Sequence, residues 1–277
     1  MPKMKTLAKI AIAAGGAALA AAGAAVFLTA PGRSAKNVKQ QFAGVNFAHR
    51  GLHSPDKSVP ENSLSAFRLA AEAGYGVELD VHLTKDGKVV VFHDDTLQRI
   101  CGAEGNLRDF TLDELRQLRL CDTQETIPTL EEVFEALGGV PVVLEVKRGK
   151  GRDELCQKVL SAIDHYRGPV CVESFDPFIV RWFRKNAPDI FRGQLSCSSK
   201  KLSLAADKFS AFMLGNLLTN FIARPHFVAW GMDKKPLGLL LCEALGGMKV
   251  AWTARKLSDW KDNEAVIFEF CRPEPRF

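Results

Sequence analysis

Short runs of β-branched and other apolar residues alternate along most of the chain with longer segments of helical periodicity, a pattern typical of βαβ units. The apolar runs predict eight strands: Val45–Ala48, Gly76–Leu83, Val140–Val146, Val170–Ser174, Gly193–Ser196, Phe227–Gly231, Lys249–Thr253 and Ala265–Phe270. The segments between them predict six helices: Ser63–Ala73, Thr129–Leu137, Arg152–Tyr166, Pro177–Asn186, Ser203–Ala223, with a break near Gly215, and Leu237–Leu245. Eight such units close as a TIM (β/α)8 barrel, an α/β fold whose chemistry lies at the carboxyl ends of its strands.

A β-hairpin is expected after the second of these strands. Period two places Glu78 and Asp80 on one face of that strand and its valine and leucine side chains on the other. Asp86-Gly87 is a favoured two-residue turn, and such a turn sets Asp80 opposite His93. The returning arm cannot be a barrel strand, because parallel neighbours need a longer crossover. We therefore expect the hairpin tip beyond the barrel rim and a cluster of two carboxylates with one imidazole.

The site mouth is also expected to carry a small insertion. Residues 95–124 are mostly polar, with one short helix predicted after Thr111. Their position directly after the hairpin places them beside the two carboxylates and the histidine.

The first 44 residues differ from the rest in composition. Residues 1–31 predict an N-terminal hydrophobic helix, since Ile10–Ala30 carry no charge over 21 residues, just enough to cross a bilayer. This helix is either a single-pass membrane anchor or a signal peptide of a secreted protein, and the lack of a clear cleavage site favours the anchor. Basic residues flank it on both sides, which leaves the side of the membrane open. Residues 32–44 predict a polar linker and residues 45–277 the barrel domain.

Charge and cysteine content narrow the classes of partner. The formal net charge is +5, but residues 1–40 contribute +6 and the remainder −1, so no basic surface for nucleic acid is predicted. The seven cysteines are scattered without the spacing of a metal site.

Three acidic residues in the barrel strands predict a metal site. Glu145 ends a strand that is otherwise too apolar to be exposed, and a barrel core does not tolerate an unpaired carboxylate. A cation shared with Glu78 and Asp80 would balance it. Three carboxylates favour one hard divalent ion, Mg²⁺ or Ca²⁺, over Zn²⁺.

Other polar residues at strand ends indicate phosphoryl transfer. His49 and Arg50 follow the first strand, and Lys147 follows Glu145. Arg50 and Lys147 can neutralise anionic oxygens near the metal. Of the two histidines, His49 and His93, one would deprotonate the nucleophile while the other protonates the leaving alkoxide.

These residues and their spacing resemble those of the glycerophosphodiester phosphodiesterase family. The resemblance rests on motifs that match in order and spacing: His49-Arg50-Gly51, Pro60-Glu61-Asn62-Ser63, Glu78-Leu79-Asp80-Val81, Thr84-Lys85-Asp86-Gly87, Val91-Phe92-His93-Asp94 and Glu145-Val146-Lys147. Beyond Lys147 the similarity thins to strand-end residues, among them Trp252. Two positions depart from the family pattern: Arg255 replaces a common Asn, and Glu269 lies where the last strand often ends in Thr-Asp.

The resemblance implies a metal-dependent TIM-barrel hydrolase of phospholipid metabolism that cleaves glycerophosphodiesters to sn-glycerol 3-phosphate and an alcohol. It implies that His49 and His93 are the acid/base pair. It also implies that Glu78, Asp80 and Glu145 bind the metal, with Arg50, Glu61 and Lys147 around the phosphate and the metal.

Several residues have a second interpretation from the sequence alone. Asn62 precedes a helix, so it can be a helix cap as well as a site residue. Trp252 ends an apolar strand and is either barrel packing or a wall of the substrate pocket. The stretch Phe209–Phe227 is rich in Phe and Leu, which indicates a core-facing helix or, alternatively, a lipid-facing lip beside the site.

Two rival functions remain at this stage. One is a phospholipase C or D type barrel that acts on intact phospholipids. The other is a catalytically idle, membrane-tethered module that binds phospho-ligands, although an idle barrel has no use for two acid/base groups facing a carboxylate cluster. The sequence leaves open the head group, the choice between water and the glycerol hydroxyl as nucleophile, and the oligomeric state.

Overall fold

The computed structural model describes the backbone of residues 2–277 and the side chains of residues 15–256 and 258–277. Its strands are β1 (Asn46–His49), β2 (Gly76–Leu83), β3 (Val89–Val91), β4 (Val142–Val146), β5 (Val170–Ser174), β6 (Phe191–Ser196), β7 (Phe227–Gly231), β8 (Met248–Ala254) and β9 (Ala265–Phe268). Its helices are α1 (Pro2–Thr29), α2 (Lys36–Gln40), α3 (Leu64–Glu72), α4 (Gln98–Cys101), α5 (Leu112–Leu115), α6 (Leu130–Leu137), α7 (Arg152–Ile163), α8 (Pro177–Asn186), α9 (Ser199–Leu202), α10 (Lys208–Gly215), α11 (Asn220–Ala223) and α12 (Leu237–Ala244).

Eight parallel strands form a closed barrel. The sheet order is β1-β9-β8-β7-β6-β5-β4-β2, and β1 pairs with both β9 and β2, which closes the ring. β3 is antiparallel to β2 and lies outside the ring. Each predicted barrel strand overlaps one observed strand, so the predicted TIM barrel is confirmed. The helix predicted over residues 203–223 is divided, since α10 ends at Gly215 and α11 follows after a turn.

The hairpin forms, but its predicted register is wrong by one residue. Val81 pairs with Val91, so Asp80 does not pair with His93 as expected. The reason is a loop of three residues instead of two, closed by Gly87 at φ +74° and by a hydrogen bond between the flanking residues. His93 therefore lies in the loop beyond the end of β3, where its side chain is not held by strand pairing.

Alternation along the barrel strands separates an apolar interior from a polar mouth. On β4, Val143 points into the barrel core and Glu145 follows two residues later, nearer the carboxyl end. At the end of β9, Ile267 and Glu269, the first residue after the strand, repeat the same arrangement. Phe42 stacks on Phe191 with ring centroids 5.3 Å apart and closes the amino-terminal opening of the barrel. The polar side chains therefore gather at the opposite end, where the strands terminate.

The insertion between β3 and α6 has a hydrophobic core of its own. Leu97, Leu107 and Leu115 are fully buried there against Val90 of the hairpin. The short helix predicted after Thr111 is α5, which begins with a capping box. Two further turns, α4 and a 3₁₀ turn at Leu107–Asp109, were not predicted, since four-residue turns carry little periodic signal.

The prediction of a membrane-spanning anchor is wrong. Within the part of the chain whose side chains the structure describes, no helix combines the length and the apolarity needed to cross a membrane. Residues 10–14 of the predicted span lie outside those described side chains. Ala and Gly make up 14 of the 21 residues of that span, and such small side chains contribute little apolar surface. The single-pass localisation and the membrane partner are corrected accordingly.

The end of α1 packs on the amino-terminal side of the barrel. The Arg224 guanidinium donates hydrogen bonds to the carbonyl oxygens of Phe27 (2.8 Å) and Ala30 (3.0 Å). Asn220 donates to the Thr29 carbonyl oxygen at 3.1 Å. These contacts satisfy carbonyl groups that the helix end leaves without helical partners. Residues 32–44, predicted as a linker, contain α2 and cover the barrel opening.

The aromatic stack at the amino-terminal opening should be a main source of stability. Phe191 is 2% exposed and stacks on both Phe42 and Phe227. We expect Phe191→Ala to lower the free energy of unfolding by about 3 to 5 kcal/mol, because it leaves a cavity in close-packed surroundings. Urea denaturation measures this. The control Leu237→Ala, at a side chain 71% exposed, should change the value by less than about 0.5 kcal/mol, and equal effects of the two variants would contradict the prediction.

Candidate active site

Three carboxylates meet at the carboxyl ends of two neighbouring strands. Glu78 and Asp80 lie on β2, and the parallel pairing with β4 sets Asp80 beside Glu145. One oxygen of each residue lies within 4.8 Å of the others, and the three residues are only 3%, 1% and 7% exposed. Carboxylates this close repel one another strongly where water is excluded, so the cluster needs positive charge.

A fourth carboxylate adjoins this cluster. Glu173 is the penultimate residue of β5 and lies beside Glu145 in the sheet. Its Oε2 atom is buried and has no hydrogen-bond partner among the side chains that the structure describes. Burial, with the charges of Glu145 and Asp80, raises the pKa of Glu173 well above its ordinary value. The pKa of Glu78 is also raised well above its ordinary value, by burial and then by the charges of the neighbouring carboxylates, of which Asp80 has the largest effect. Both shifts mean that burial and the neighbouring carboxylates together disfavour the ionised form of these two groups, which a further cation would favour.

Two cationic side chains enter the cluster. Lys147 Nζ lies 2.7 Å from Asp80 Oδ1 and 2.8 Å from Glu145 Oε2. Arg50 Nε lies 3.5 Å from Asp80 Oδ2. Burial alone would raise the pKa of Asp80, but Lys147, His93 and Arg50 hold it well below its ordinary value. The pKa of Glu145 is raised, because the effect of burial is larger than the opposing effect of the Lys147 charge. Asp80 is therefore the carboxylate that stays ionised most readily.

His49 is held by a carboxylate on one side and faces the cluster on the other. Its Nδ1 lies 3.1 Å from Glu269 Oε2, and its Nε2 lies 3.8 Å from Glu78 Oε2. Burial alone would raise the pKa of Glu269, but His49 and Arg255 lower it to about 2. An ionised carboxylate only accepts hydrogen bonds, so Nδ1 carries the proton. Burial lowers the pKa of His49 in spite of Glu269, which leaves a neutral ring whose Nε2 can accept a proton.

His93 adjoins a chain of ion pairs across the mouth. Its Nδ1 lies 2.6 Å from Asp94 Oδ1, and Asp94 in turn accepts from Arg99 Nε at 2.6 Å. Arg99 makes two hydrogen bonds of 2.7 and 2.8 Å to the Glu61 carboxylate, which also accepts from Arg50 Nη1 at 2.7 Å. Each ion in this chain has oppositely charged neighbours, which fixes the side chains in place. Its effect is to hold the His93 ring and the Arg50 guanidinium at the same opening.

Asn62 contacts the cluster and does not cap a helix. Ser63 is the N-cap of α3, where its side chain accepts a hydrogen bond from the Ala66 N–H. Asn62 takes a left-handed conformation with φ 56° and donates from Nδ2 to Asp80 Oδ2 at 2.9 Å. Of the two interpretations of Asn62 from the sequence, a helix cap or a site residue, the structure supports the site residue.

Trp252 stands further out on the rim of the barrel. Its Nε1 donates to the Ser196 carbonyl oxygen at 3.1 Å, and its ring meets Phe175 edge-on with centroids 6.0 Å apart. The half-buried pair forms an apolar wall beside the polar cluster. The structure thus brings eight of the predicted site residues into one cluster and places Trp252 at its border: His49, Arg50, Glu61, Glu78, Asp80, His93, Glu145 and Lys147.

Three residues that contact this cluster have no role predicted from the sequence. Glu269 was noted only as a departure from the family pattern, although it lies at the inward position after Ile267, where period two predicts a side chain at the mouth. Asp94 lies in the loop after β3, and Arg99 lies in the insertion. In neither segment does a periodic pattern of residues predict where a side chain points.

Solved structures support the fold class. A phosphodiesterase from Oleispira antarctica, solved in complex with the product sn-glycerol-3-phosphate, superposes with a TM-score of 0.67 at 26% identity, covering 83% of this chain and 94% of that one. A glycerophosphodiester phosphodiesterase from Thermotoga maritima superposes with a TM-score of 0.61 at 26% identity, covering 81% and 93%. Both similarities extend over nearly the whole neighbouring chain, so the barrel and the surrounding helices share one architecture.

Sequence comparison then defines the family. The pattern of the glycerophosphoryl diester phosphodiesterase family matches residues 49–205, more than half of the chain, and the chain belongs to that family. A curated glycerophosphodiester phosphodiesterase from Caldanaerobacter subterraneus subsp. tengcongensis is 41% identical over 163 residues. That match covers 53% of this chain and 65% of the relative, so the chain spans slightly less than two thirds of that relative's length.

Proposed function

We propose that this protein hydrolyses glycerophosphodiesters to sn-glycerol 3-phosphate and an alcohol, with residues 45–277 as the catalytic domain. The observation that carries the proposal is the placement of His49, which Glu269 holds at Nδ1 and whose Nε2 lies 3.8 Å from the Glu78 carboxylate in a buried acidic cluster. The family membership supports it, as does the product bound to the Oleispira neighbour. Head-group preference stays open.

In this proposal the two histidines move the protons. His49 accepts the proton of the nucleophile at Nε2 as the new P–O bond forms. His93 gives its proton to the alkoxide as the bond between phosphorus and the leaving alcohol breaks. The Asp94 carboxylate, 2.6 Å from His93 Nδ1, balances the charge of the protonated ring. Water as the nucleophile gives glycerol 3-phosphate directly. The neighbouring glycerol hydroxyl would instead give a cyclic glycerol phosphate, which water then opens to glycerol 3-phosphate with the two histidines in exchanged roles.

The phosphate is proposed to bind between the cationic side chains. Arg50 and Lys147 are half-buried beside the carboxylates and can each turn an N–H group towards anionic phosphate oxygens. Glu61 holds the Arg50 guanidinium by a 2.7 Å hydrogen bond, which fixes its orientation. Trp252 would form the wall of the substrate pocket on the side where the leaving alcohol binds.

One divalent cation fits the acidic cluster. Glu78, Asp80 and Glu145 would hold it, and their hard oxygen donors favour Mg²⁺ or Ca²⁺. The raised pKa of Glu78 and the orphaned Glu173 Oε2 both support the need for a further cation. Such an ion, when bound, stabilises negative charge that develops on the phosphoryl oxygens.

The reaction can be tested with the full chain after its metal has been removed. Glycerophosphocholine and glycerophosphoethanolamine are supplied with and without Mg²⁺ or Ca²⁺, and both glycerol 3-phosphate and the free alcohol are measured. We expect both products to appear together, and only with a divalent ion. Release of the phosphorylated alcohol instead would mean that the other phosphoester bond is cut. No release from folded protein with either ion would overturn the proposal.

Glu269 should act through His49 as a positioning residue. We expect Glu269→Gln to lower kcat about 10- to 100-fold with little change in KM, because the amide no longer fixes the imidazole proton on Nδ1. Glu269→Asp should restore part of the rate, since it keeps the carboxylate. The matched control is Glu274→Gln, an exposed carboxylate of the same terminal segment. A change confined to KM, or no difference from the control, would contradict this role.

A further inference from the structure

His82 is a buried histidine beside the site, and the mechanism proposed above gives it no role. It lies on β2 two residues beyond Asp80 and is 0% exposed. Its Nε2 lies 3.2 Å from the carbonyl oxygen of His93. A carbonyl oxygen only accepts hydrogen bonds, so Nε2 is the donor and carries the ring proton. This bond ties the His93 backbone to the barrel strand, one residue after the Phe92 N–H donates to the Asp80 carbonyl oxygen at 2.9 Å.

Arg108 of the insertion holds the other side of the same ring. Its Nη2 lies 3.5 Å from His82 Nδ1. A guanidinium group only donates hydrogen bonds, so Nδ1 is the ring nitrogen without a proton, and both partners select the same neutral tautomer. A protonated ring would be a second buried positive charge beside Arg108, which is unfavourable. The tautomer and the orientation of the His82 ring are therefore set from both sides.

The Arg108 guanidinium is in turn fixed by the loop after β4. Its Nη1 donates to the Lys150 carbonyl oxygen at 2.8 Å, and its Nη2 donates to the Arg148 carbonyl oxygen at 3.0 Å. Gly149 lies between these two residues, and a Cβ atom there would overlap the guanidinium group. The close approach of Arg108 therefore needs a glycine at this position. Lys147, just before this loop, is held separately by its ion pairs with two carboxylates.

We propose that His82 and Arg108 are positioning residues for the proton donor of the reaction. The His93 ring lies beyond the end of β3, and Asp94 contacts its Nδ1 at 2.6 Å. The bond from His82 fixes the backbone from which this ring extends, and Arg108 keeps the His82 ring turned towards that backbone. The other nitrogen of the His93 ring is then presented to the leaving alcohol. The inference rests on the proposed function, because it requires His93 to give this proton.

A buried polar network can also serve only to stabilise the hairpin. The two roles differ in how turnover depends on the leaving group. Choline leaves as an alkoxide that must be protonated, whereas p-nitrophenolate is stable without a proton. A misplaced proton donor therefore slows the release of choline and has little effect on the release of p-nitrophenol. A general disturbance of the site slows both.

The test compares turnover of glycerophosphocholine with turnover of the p-nitrophenyl ester of glycerol 3-phosphate by the full chain with Mg²⁺ or Ca²⁺. His82→Leu removes the ring donor, and His82→Gln keeps an N–H group at a similar reach. Arg108→Leu removes the guanidinium, and Gly149→Ala displaces it. One control is His226→Leu, at a buried histidine directly before β7. The other is Arg119→Leu, at an exposed arginine of the insertion that donates to a backbone carbonyl oxygen of its own turn.

We expect His82→Leu to lower kcat on glycerophosphocholine at least about tenfold and to change KM less than about twofold, because a small displacement of a reacting group has an effect of this size. Turnover of the p-nitrophenyl ester should change less than about threefold. Arg108→Leu and Gly149→Ala should show the same dependence on the leaving group with smaller losses. His82→Gln should recover most of the rate, and both controls should keep the rates on both substrates.

His93→Ala is the reference, because loss of the proton donor itself should show the same dependence on the leaving group. If His93→Ala shows this dependence and the variants of His82 and Arg108 do not, the inference alone is wrong. Equal losses on both substrates in these variants would mean that the network only supports the fold. Arg108 is half-buried and Gly149 is exposed, so their variants decide the question even if His82→Leu does not fold.

Two other results would overturn the proposed function and the inference together. The first is wild-type protein that cleaves neither substrate. The second is His93→Ala with equal losses on both substrates, which would show that His93 is not the proton donor.

Discussion

Replacement of either site histidine by alanine is expected to lower kcat by about 100- to 10,000-fold, the usual contribution of a positioned general acid or base. His49→Ala removes the neutral ring whose Nε2 faces Glu78, and His93→Ala removes the ring that Asp94 holds at 2.6 Å. Single-turnover and steady-state assays on glycerophosphocholine measure the loss. Because the two rings serve one proton-transfer sequence, the double variant should lose far less than the product of the single losses.

Metal binding separates this chemical role from a structural one. His49 and His93 are not among the three carboxylates that would hold the cation, so both variants should bind Mg²⁺ or Ca²⁺ with wild-type affinity in calorimetry. His165→Ala is the control, because that histidine is exposed near the end of α7 and contacts only a backbone carbonyl oxygen. Normal turnover in either site variant would remove the histidines from the mechanism.

The parts of the site that follow from strand geometry could be predicted from the sequence. Glu78, Asp80 and Glu145 lie on strands with clear period-two alternation, and parallel pairing brings the ends of such strands together without further information. The same reasoning reaches Glu269, which directly follows the last residue of β9 and lies two residues after the inward-facing Ile267. Local sequence is sufficient here because each side chain is placed by its own strand.

The register of the hairpin and the surroundings of His93 could not be predicted from the sequence, and the reason is physical. Asp86-Gly87 is compatible with turns of two or three residues, and the choice depends on hydrogen bonds with the insertion, such as that from the Leu112 N–H to Asp86 Oδ1 at 3.0 Å. The link from Asp94 through Arg99 to Glu61 joins residues far apart in the chain, for which spacing gives no signal.

The predicted anchor failed for another reason. An uncharged stretch of 21 residues predicts a membrane span, but Ala and Gly are uncharged without being strongly apolar. The transfer of a helix into a bilayer depends on apolar area, and a methyl side chain supplies little of it. Length and lack of charge alone therefore overstate the tendency of such a segment to cross a membrane.

Removal of the divalent cation is expected to abolish turnover and to lower the melting temperature, and Mg²⁺ or Ca²⁺ should restore both. The reason is burial, together with the negative charge of the neighbouring carboxylates, which raises the pKa of Glu78 above its value in the unfolded chain. Such a group favours the folded state below its unfolded pKa, and that stability is lost as the pH rises through the folded pKa. Metal-free protein should therefore lose stability as the pH rises above the ordinary carboxyl range, and the bound cation should reduce this loss.

Two neighbouring carboxylates should respond in opposite directions when replaced by amides. Glu78→Gln removes repulsion, so the metal-free variant should be at least as stable as metal-free wild type at neutral pH. Asp80 has a lowered pKa and pairs with Lys147 and Arg50, so Asp80→Asn should cost about 3 to 5 kcal/mol by leaving buried cations without their partner. Both variants should lose the rise in melting temperature on addition of Mg²⁺ or Ca²⁺, whereas the exposed control Glu131→Gln should keep it. The prediction would be contradicted if Glu78→Gln and Asp80→Asn destabilised the metal-free protein equally, or if a chelator left turnover unchanged. In either case the acidic cluster would be an ion-pair network that stabilises the fold and not a cation-binding site.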